Sequence, residues 1–323
     1  MAILNGKGGQ SPPAATHPVW KRWVRFRGKD GNIYGGEPVN TEIDGDASPH
    51  EAQPNPADLG VYIIVGQAIE KKKNVLVKTI AGSSALDYDA PFTGETQIID
   101  ELLSPVSQNE AGTVRCVGLN YKEHAAEMKL ALPSRPTVFL KANTCIASAS
   151  EPILLPSNVD YDEADYEVEL AVIIGKQCKN ISVAEAADYV LGYSVANDVT
   201  ARKHQDQTSQ WSYAKGMDGF CPLGPCIVSS QLVPDARVLN LKTSLNGKIM
   251  QDGSADDMIF SIPEIVSYLS QGHTLMPGTV IITGTPCGIG ISQKPPQFLQ
   301  PGDQLRVSIS HGLGTQICQI ARD

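Results

Sequence analysis

The stretch DYEVELAVIIG, residues 165–175, constrains the fold more than any other part of the chain. Side chains alternate faces along a strand, so Val168, Leu170, Val172 and Ile174 line one side while Glu167, Glu169, Ala171 and Ile173 line the other. A strand apolar on both faces belongs in the middle of a sheet that is covered on each side. Glu167 and Glu169 then sit side by side on one buried face. A lone Glu-x-Glu pair also fits a solvated strand face, but the apolar run that follows it argues for burial. Two neighbouring buried carboxylates repel unless a cation or protons compensate them, and a hard divalent cation is the simplest compensation.

Such a cation takes several oxygen ligands, so a third carboxylate is expected on another element. Asp198 ends the strand pattern GYSVAND, where apolar gives way to polar at a sheet edge or rim; the same residue also reads as a turn cap. Three carboxylates with no neighbouring His or Cys ligand favour Mg2+ or Mn2+, with Ca2+ also fitting, over Zn2+. His124 and Glu127 stand three apart in YKEHAAEM, neighbours on a helical turn. A carboxylate beside an imidazole fixes its tautomer and raises its basicity, which suits a general base; a solvated surface pair is the alternative.

The chain has 323 residues, 41% of them hydrophobic, enough for a sizeable core in one large or two unequal domains. Its formal charge of -9, with no basic block beyond Lys71 to Lys73, argues against nucleic acid or an anionic membrane as the main partner. Seven cysteines form no C-x-x-C pair and read as reduced, mostly buried thiols. Neither a signal pattern nor an apolar run near the roughly 20 residues of a membrane span is present, so a cytoplasmic location is expected.

Residues 1–17 read as a flexible N-terminal tail, rich in Gly, Pro and small residues. Residues 18–107 read as a small β-rich N-terminal domain with strands in WVRFRG, LGVYIIVG and NVLVKTIAG, leaving through LSPVSQNEAGT. Residues 108–323 read as the catalytic domain. There VRCVGLN, PTVFLKA and GYSVAND predict strands, YKEHAAEMKLAL, VAEAADYVL and IPEIVSYLSQG predict helices, and GTVIITGTPCGIG predicts a buried strand entering a glycine-rich loop. Backbone N–H groups of the 284–290 loop can receive an anion. The loop lacks the lysine of a phosphate-binding P-loop, which disfavours nucleotide binding. Many strands with few helices indicate an α+β, mostly β, fold.

Five motifs follow one another: RCVGLNYKEHAAEM, DYEVELAVIIGK, GYSVANDVTARKHQ, KGMDGFCPLGP and VIITGTPCGIG. In them, from about Leu102 to Arg322, the chain resembles the fumarylacetoacetate hydrolase family, in the short form related to acylpyruvate hydrolases and oxaloacetate decarboxylases. The resemblance implies a mixed β-sandwich or β-roll core and a homodimer. It implies a metal-dependent enzyme acting on a small 2-oxo or 1,3-diketo acid of the acylpyruvate or fumarylpyruvate type. Glu167, Glu169 and Asp198 are thereby implied as metal ligands, and His124 with Glu127 as a catalytic dyad on a short helix or lid. Lys215 matches the family's lysine near substrate and metal, and Arg202 and Gln205 match the polar residues after the metal-binding Asp. Gly284 and Thr285, in TGTP, match the loop that holds the substrate carboxylate.

C–C hydrolysis, decarboxylation and keto–enol tautomerisation all need the same enolate stabilisation, so the residues leave the three open; a non-catalytic metal-binding scaffold is a fourth reading. The chain departs from the family pattern at Lys203, where many relatives have Asp, at Cys287, where Ala is common, and at Ala142, where Pro follows the lysine of FLK. None of these removes a ligand or the dyad. Cys287 is not expected to be a nucleophile, since no base is placed to activate it.

Overall fold

The structure, a computed structural model, describes residues 18–39 and 75–323. The expected tail 1–17 and the strand expected in LGVYIIVG lie outside the described residues.

All seven residues of the strand Val168–Ile174 are buried, as its two apolar faces require. It pairs antiparallel with Val190–Asn197 on one side and with Val280–Ile282 on the other. Beyond Val280–Ile282 the sheet continues through the parallel strand Val114–Gly118 and ends on Thr137–Lys141. In the other direction Val190–Asn197 meets Ile227–Ser229, which pairs with Arg22–Gly28. Through that last pairing the N-terminal strands Ile33–Pro38, Leu76–Ile80 and Phe92–Leu103 join the same twelve-stranded sheet.

A second sheet of five strands runs in the order Lys248–Ser254, Asn240–Leu245, Gln304–Ile309, Gly314–Arg322, Ile153–Leu155. Its inward residues Leu241, Leu305, Val307 and Ile309 share a core cluster with Val168, Leu170 and Val172. Ala171 and Ile173 face a separate cluster with Trp20, Trp23, Cys116 and Ile282. The fold is thus the α+β, predominantly β, sandwich expected. Fully burying a Val or Ile side chain contributes about 1.5–3 kcal/mol, so this central strand anchors both clusters.

Register places the third carboxylate. Val168 lies opposite Asn197, and the Asp198 N–H donates to Glu167 O at 2.9 Å, bringing Asp198 beside the Glu-x-Glu pair.

Three elements differ from the sequence pattern. In VAEAADYVL only Ala186–Tyr189 forms a 3-10 turn, and Val190 already enters the sheet. Cross-strand pairing of a β-branched residue outweighs a weak helical pattern. The helix in YKEHAAEMKLAL spans only Lys122–Glu127. It closes when Lys129 turns left-handed at φ 56° and the Leu130 N–H returns to Ala125 O at 2.9 Å, a Schellman ending well before Pro133. The expected linker LSPVSQNEAGT holds one helical turn, Gln108–Ala111, with Ser107 and Glu110 forming a reciprocal capping box.

The helix Ile262–Ser270 forms as expected, with a Ser261/Glu264 capping box and proline in its first turn. All seven cysteines are free thiols, six buried and Cys287 half-buried. Among the described residues no helix is long and apolar enough to cross a membrane.

Candidate active site

Each of Glu167, Glu169 and Asp198 is buried and offers an oxygen within 4.8 Å of the others. Three cations surround them. The Lys215 ammonium donates to Glu167 Oε2 at 2.8 Å, Asp198 Oδ2 at 2.7 Å and Thr200 Oγ1 at 2.7 Å. Lys141, fully buried, donates to Asp198 Oδ1 and to Phe220 O, both at 2.5 Å. Arg202 spans Glu167 Oε1 at 2.6 Å and Asp165 Oδ2 at 2.8 Å, and its Nη1 donates to Gln205 Oε1 at 3.0 Å.

Counting Asp165, four buried carboxylates face three buried cations, which leaves one negative charge without a partner. That charge falls on Glu169. Burial, then the neighbouring Asp198 and Glu167, push its carboxyl well above the usual carboxylate range, while the Gly284 N–H at 2.7 Å gives only partial relief. Burial acts on Glu167 in the same direction, but Lys215 and Arg202 outweigh it and hold that carboxyl far below the usual range. An all-oxygen donor set with excess negative charge fits a hard divalent cation, and these three carboxylates are the groups that could hold one.

The dyad pair lies on one turn of Lys122–Glu127, with His124 Nδ1 3.0 Å from Glu127 Oε2. The other Glu127 oxygen accepts from the Gly288 N–H at 2.9 Å and from Ser292 Oγ at 2.5 Å. Burial raises this carboxyl, but the bonds from His124 and Ser292 outweigh it, and the group sits below its ordinary value. Glu127 therefore accepts as a carboxylate, which assigns the proton to Nδ1 and leaves Nε2 as the basic nitrogen.

The helix is pinned from outside its own sequence. Asp257 Oδ2 accepts from the Glu123 N–H at 2.9 Å, and the buried Asn120 amide bonds Phe260 N, Phe260 O and Thr283 O.

The loop after Val280–Ile282 carries the remaining expected residues. Gly284 has φ +95°, and a Cβ there would meet Asn120 Cβ at 2.8 Å. Its N–H is committed to Glu169. Thr285 is buried, and its hydroxyl accepts from Gln251 Nε2 at 2.8 Å. Cys287 Sγ donates to Glu123 Oε2 at 3.6 Å, and burial followed by Glu127 and Glu123 pushes the thiol up to about 11. That is the reverse of activation.

Sequence reasoning passed over Lys141, Asp165, Gln251 and Ser292 as site residues. The first two carried a usable signal. In TVFLK the inward residues are Phe139 and Lys141, a lysine on a buried face; Asp165 stands two before Glu167, on the same face by alternation. Asp165 also accepts from the Gly290 N–H at 2.7 Å and the Ile291 N–H at 3.0 Å, which ties Arg202 to the loop. A Cβ at Gly290 would meet Gln297 O at 2.0 Å and Asp165 Oδ1 at 2.5 Å. Gly290→Ala should accordingly lower stability by about 1–3 kcal/mol, measured as a shift in the urea midpoint at constant slope.

Three carboxylates able to hold a divalent cation, a buried lysine between two of them and a His–Glu pair acting on Glu167 make up a candidate enzyme site. Residues 113–321 match the family model described as the C-terminal part of fumarylacetoacetate (FAA) hydrolase, and the chain belongs to that family. Caffeoylpyruvate hydrolase of Neonothopanus nambi is 36% identical over 307 residues, 94% of this chain and 93% of that one. A mitochondrial oxaloacetate tautomerase of Xenopus laevis is 38% identical over 228 residues, 70% of each chain. Among solved structures, a 5-carboxymethyl-2-hydroxymuconate delta-isomerase from Mycobacterium smegmatis matches with a TM-score of 0.72 and 33% identity, covering 94% of this chain and 100% of that one.

Proposed function

We propose that the protein is a divalent-metal-dependent hydrolase that cleaves a C–C bond in a small acylpyruvate-type acid, acting as a homodimer. The observation that carries this reading is an ordered His124–Glu127 pair together with a buried carboxylate triad, with His124 close enough to act electrostatically on Glu167. Similarity to a caffeoylpyruvate hydrolase along nearly the whole chain supports the hydrolytic form, and the family resemblance supports the dimer.

Glu167, Glu169 and Asp198 would hold Mg2+ or Mn2+, which supplies Lewis-acid stabilisation of an enolate when bound. His124 Nε2 takes a proton from water while Glu127 holds the ring and stabilises its charge. The hydroxide attacks the distal carbonyl. As the C–C bond breaks, its electron pair passes to the pyruvate portion as an enolate, and a proton then completes pyruvate. Lys215, bonded to two of the ligands, places positive charge beside the oxygen where the enolate develops. Thr285 binds the 2-oxo acid carboxylate. Arg202, braced by Gln205, acts on the substrate side and holds Glu167.

Tautomerisation is the second reading, favoured by the resemblance to an oxaloacetate tautomerase; there His124 moves a proton between carbon and solvent and no bond to carbon breaks. Decarboxylation of oxaloacetate would use the same enolate stabilisation.

The test is turnover of metal-stripped protein with acetylpyruvate and with oxaloacetate, each with and without Mg2+ or Mn2+. Pyruvate released from acetylpyruvate only with metal is the expected result. Enol decay without pyruvate moves the assignment to tautomerisation, and CO2 from oxaloacetate moves it to decarboxylation. No turnover of either compound removes the hydrolase reading for these substrates.

A further inference from the structure

We propose that Gln251 is a positioning residue that fixes the Thr285 hydroxyl as a hydrogen-bond donor toward the carboxylate of the bound 2-oxo acid. The inference rests on the reading of the site given above and adds the group that sets its polarity.

Gln251 is 1% exposed and lies on the strand Lys248–Ser254 of the second sheet, apart from every motif that marked the site. Its Oε1 accepts from the Val168 N–H at 3.0 Å and from Thr243 Oγ1 at 2.9 Å. Its Nε2 donates to Pro286 O at 3.0 Å and to Thr285 Oγ1 at 2.8 Å. The amide has no freedom to turn over. A backbone N–H can only donate and a backbone carbonyl can only accept, so Val168 fixes the oxygen end and Pro286 the nitrogen end. With one amide proton on Pro286, the other goes to Thr285. The Thr285 hydroxyl is thereby made an acceptor from the protein, and its own single proton is directed to another partner.

Four backbone N–H groups of the loop are already committed to the protein. The N–H groups of Gly284, Gly288, Gly290 and Ile291 donate to Glu169, Glu127 and Asp165 carboxylates. Half of the backbone N–H groups of the expected 284–290 anion cradle are therefore spent on positioning protein carboxylates. Thr285 stands one residue beyond the N–H that binds Glu169, and its hydroxyl proton is a donor the Gln251 contact leaves available for an incoming anion.

The spacing that makes this work is rigid. A Cβ at Gly253 would meet Pro286 Cβ at 2.4 Å, and one at Gly288 would meet Met250 O at 2.1 Å, so the loop lies directly on the strand that carries Gln251. Val168 sits between Glu167 and Glu169, so one side chain ties the carboxylate strand to the anion loop.

The probe is oxalate, whose two adjacent carboxylates imitate a 2-oxo acid, titrated calorimetrically into the full-length protein with Mg2+ present. Gln251→Glu keeps an acceptor for Val168 and Thr243 but cannot donate, and it draws the Thr285 proton to itself. We expect Gln251→Glu and Thr285→Val each to weaken oxalate about tenfold, the size of one lost hydrogen bond to a charged group. The double variant should be no more than about twofold weaker than Thr285→Val alone, because both remove the same donor. Thr285→Ser should restore wild-type affinity.

Gln251→Met serves in the same cycle where Gln251→Glu does not fold. Wild-type affinity in Thr285→Val, or in the Gln251 variants, overturns the inference. So do effects that multiply in the double variant, since a merely structural role for Gln251 would act independently of Thr285. Failure of the wild-type protein to bind oxalate with Mg2+ is a different result: it defeats the 2-oxo acid reading of the site and the inference with it.

Discussion

Asp198→Asn should abolish divalent-cation binding and remove about 3–5 kcal/mol of folding stability, the usual cost of breaking a buried ion pair from one side. Asp198 is fully buried and takes Lys141 on one oxygen and Lys215 on the other. Burial alone lowers both ammonium groups, yet each is held above its ordinary value, with Asp198 the largest opposing influence. The neutral amide keeps the shape and loses that charge. The amide keeps one acceptor oxygen, so one of the two lysines would instead face its NH2 group. Lys215 would still have Glu167, and Lys141 the Phe220 carbonyl, with a buried ammonium left short of its counter-charge. Urea unfolding of metal-free protein reads the stability loss, and Mg2+ calorimetry reads the site. Near wild-type Mg2+ binding in the variant would show that Asp198 is not a ligand.

His124→Ala should leave Mg2+ affinity unchanged and lower turnover by roughly 10²–10⁴-fold, the range that a general base contributes. His124 lies inside the short helix Lys122–Glu127, where alanine is the better helix former, and the outer contacts through Asn120 and Asp257 remain. The fold should therefore survive, so the loss would be chemical. Glu127→Gln should fall between the wild type and His124→Ala, since the ring stays while its charged partner goes. A non-catalytic scaffold predicts a different pattern: metal binding in all three proteins and no turnover to lose. Substantial activity in His124→Ala would move the base to another group.

The Glu-x-Glu pair and the His–Glu pair were legible because each obeys a local period. Glu167 and Glu169 share a strand face two apart, and His124 and Glu127 share a helical turn three apart. Asp198 was half legible: the pattern gave a rim or a turn cap, and the pairing of Val168 with Asn197 decided between them. VAEAADYVL misled because the pull of the sheet on Val190 is absent from any local window. Arg202 and Gln205 were expected to meet substrate; the partners that only the fold could show are Asp165, Glu167 and one another.

By itself the sequence determined a mostly β core and a buried carboxylate pair, since period, burial and residue type are written within a few positions, and its five motifs carried the resemblance to the family. Only the tertiary structure decided how that site is neutralised and aimed. Lys141 reaches Asp198 across 57 residues, Arg202 reaches Asp165 across 37, and Gln251 reaches Val168 across 83 and Thr285 across 34. Those meetings depend on which strands neighbour each other in two sheets. Hydrogen-bond polarity depends on them in turn, because a side-chain amide has no preferred direction until fixed donors and acceptors stand at both of its ends.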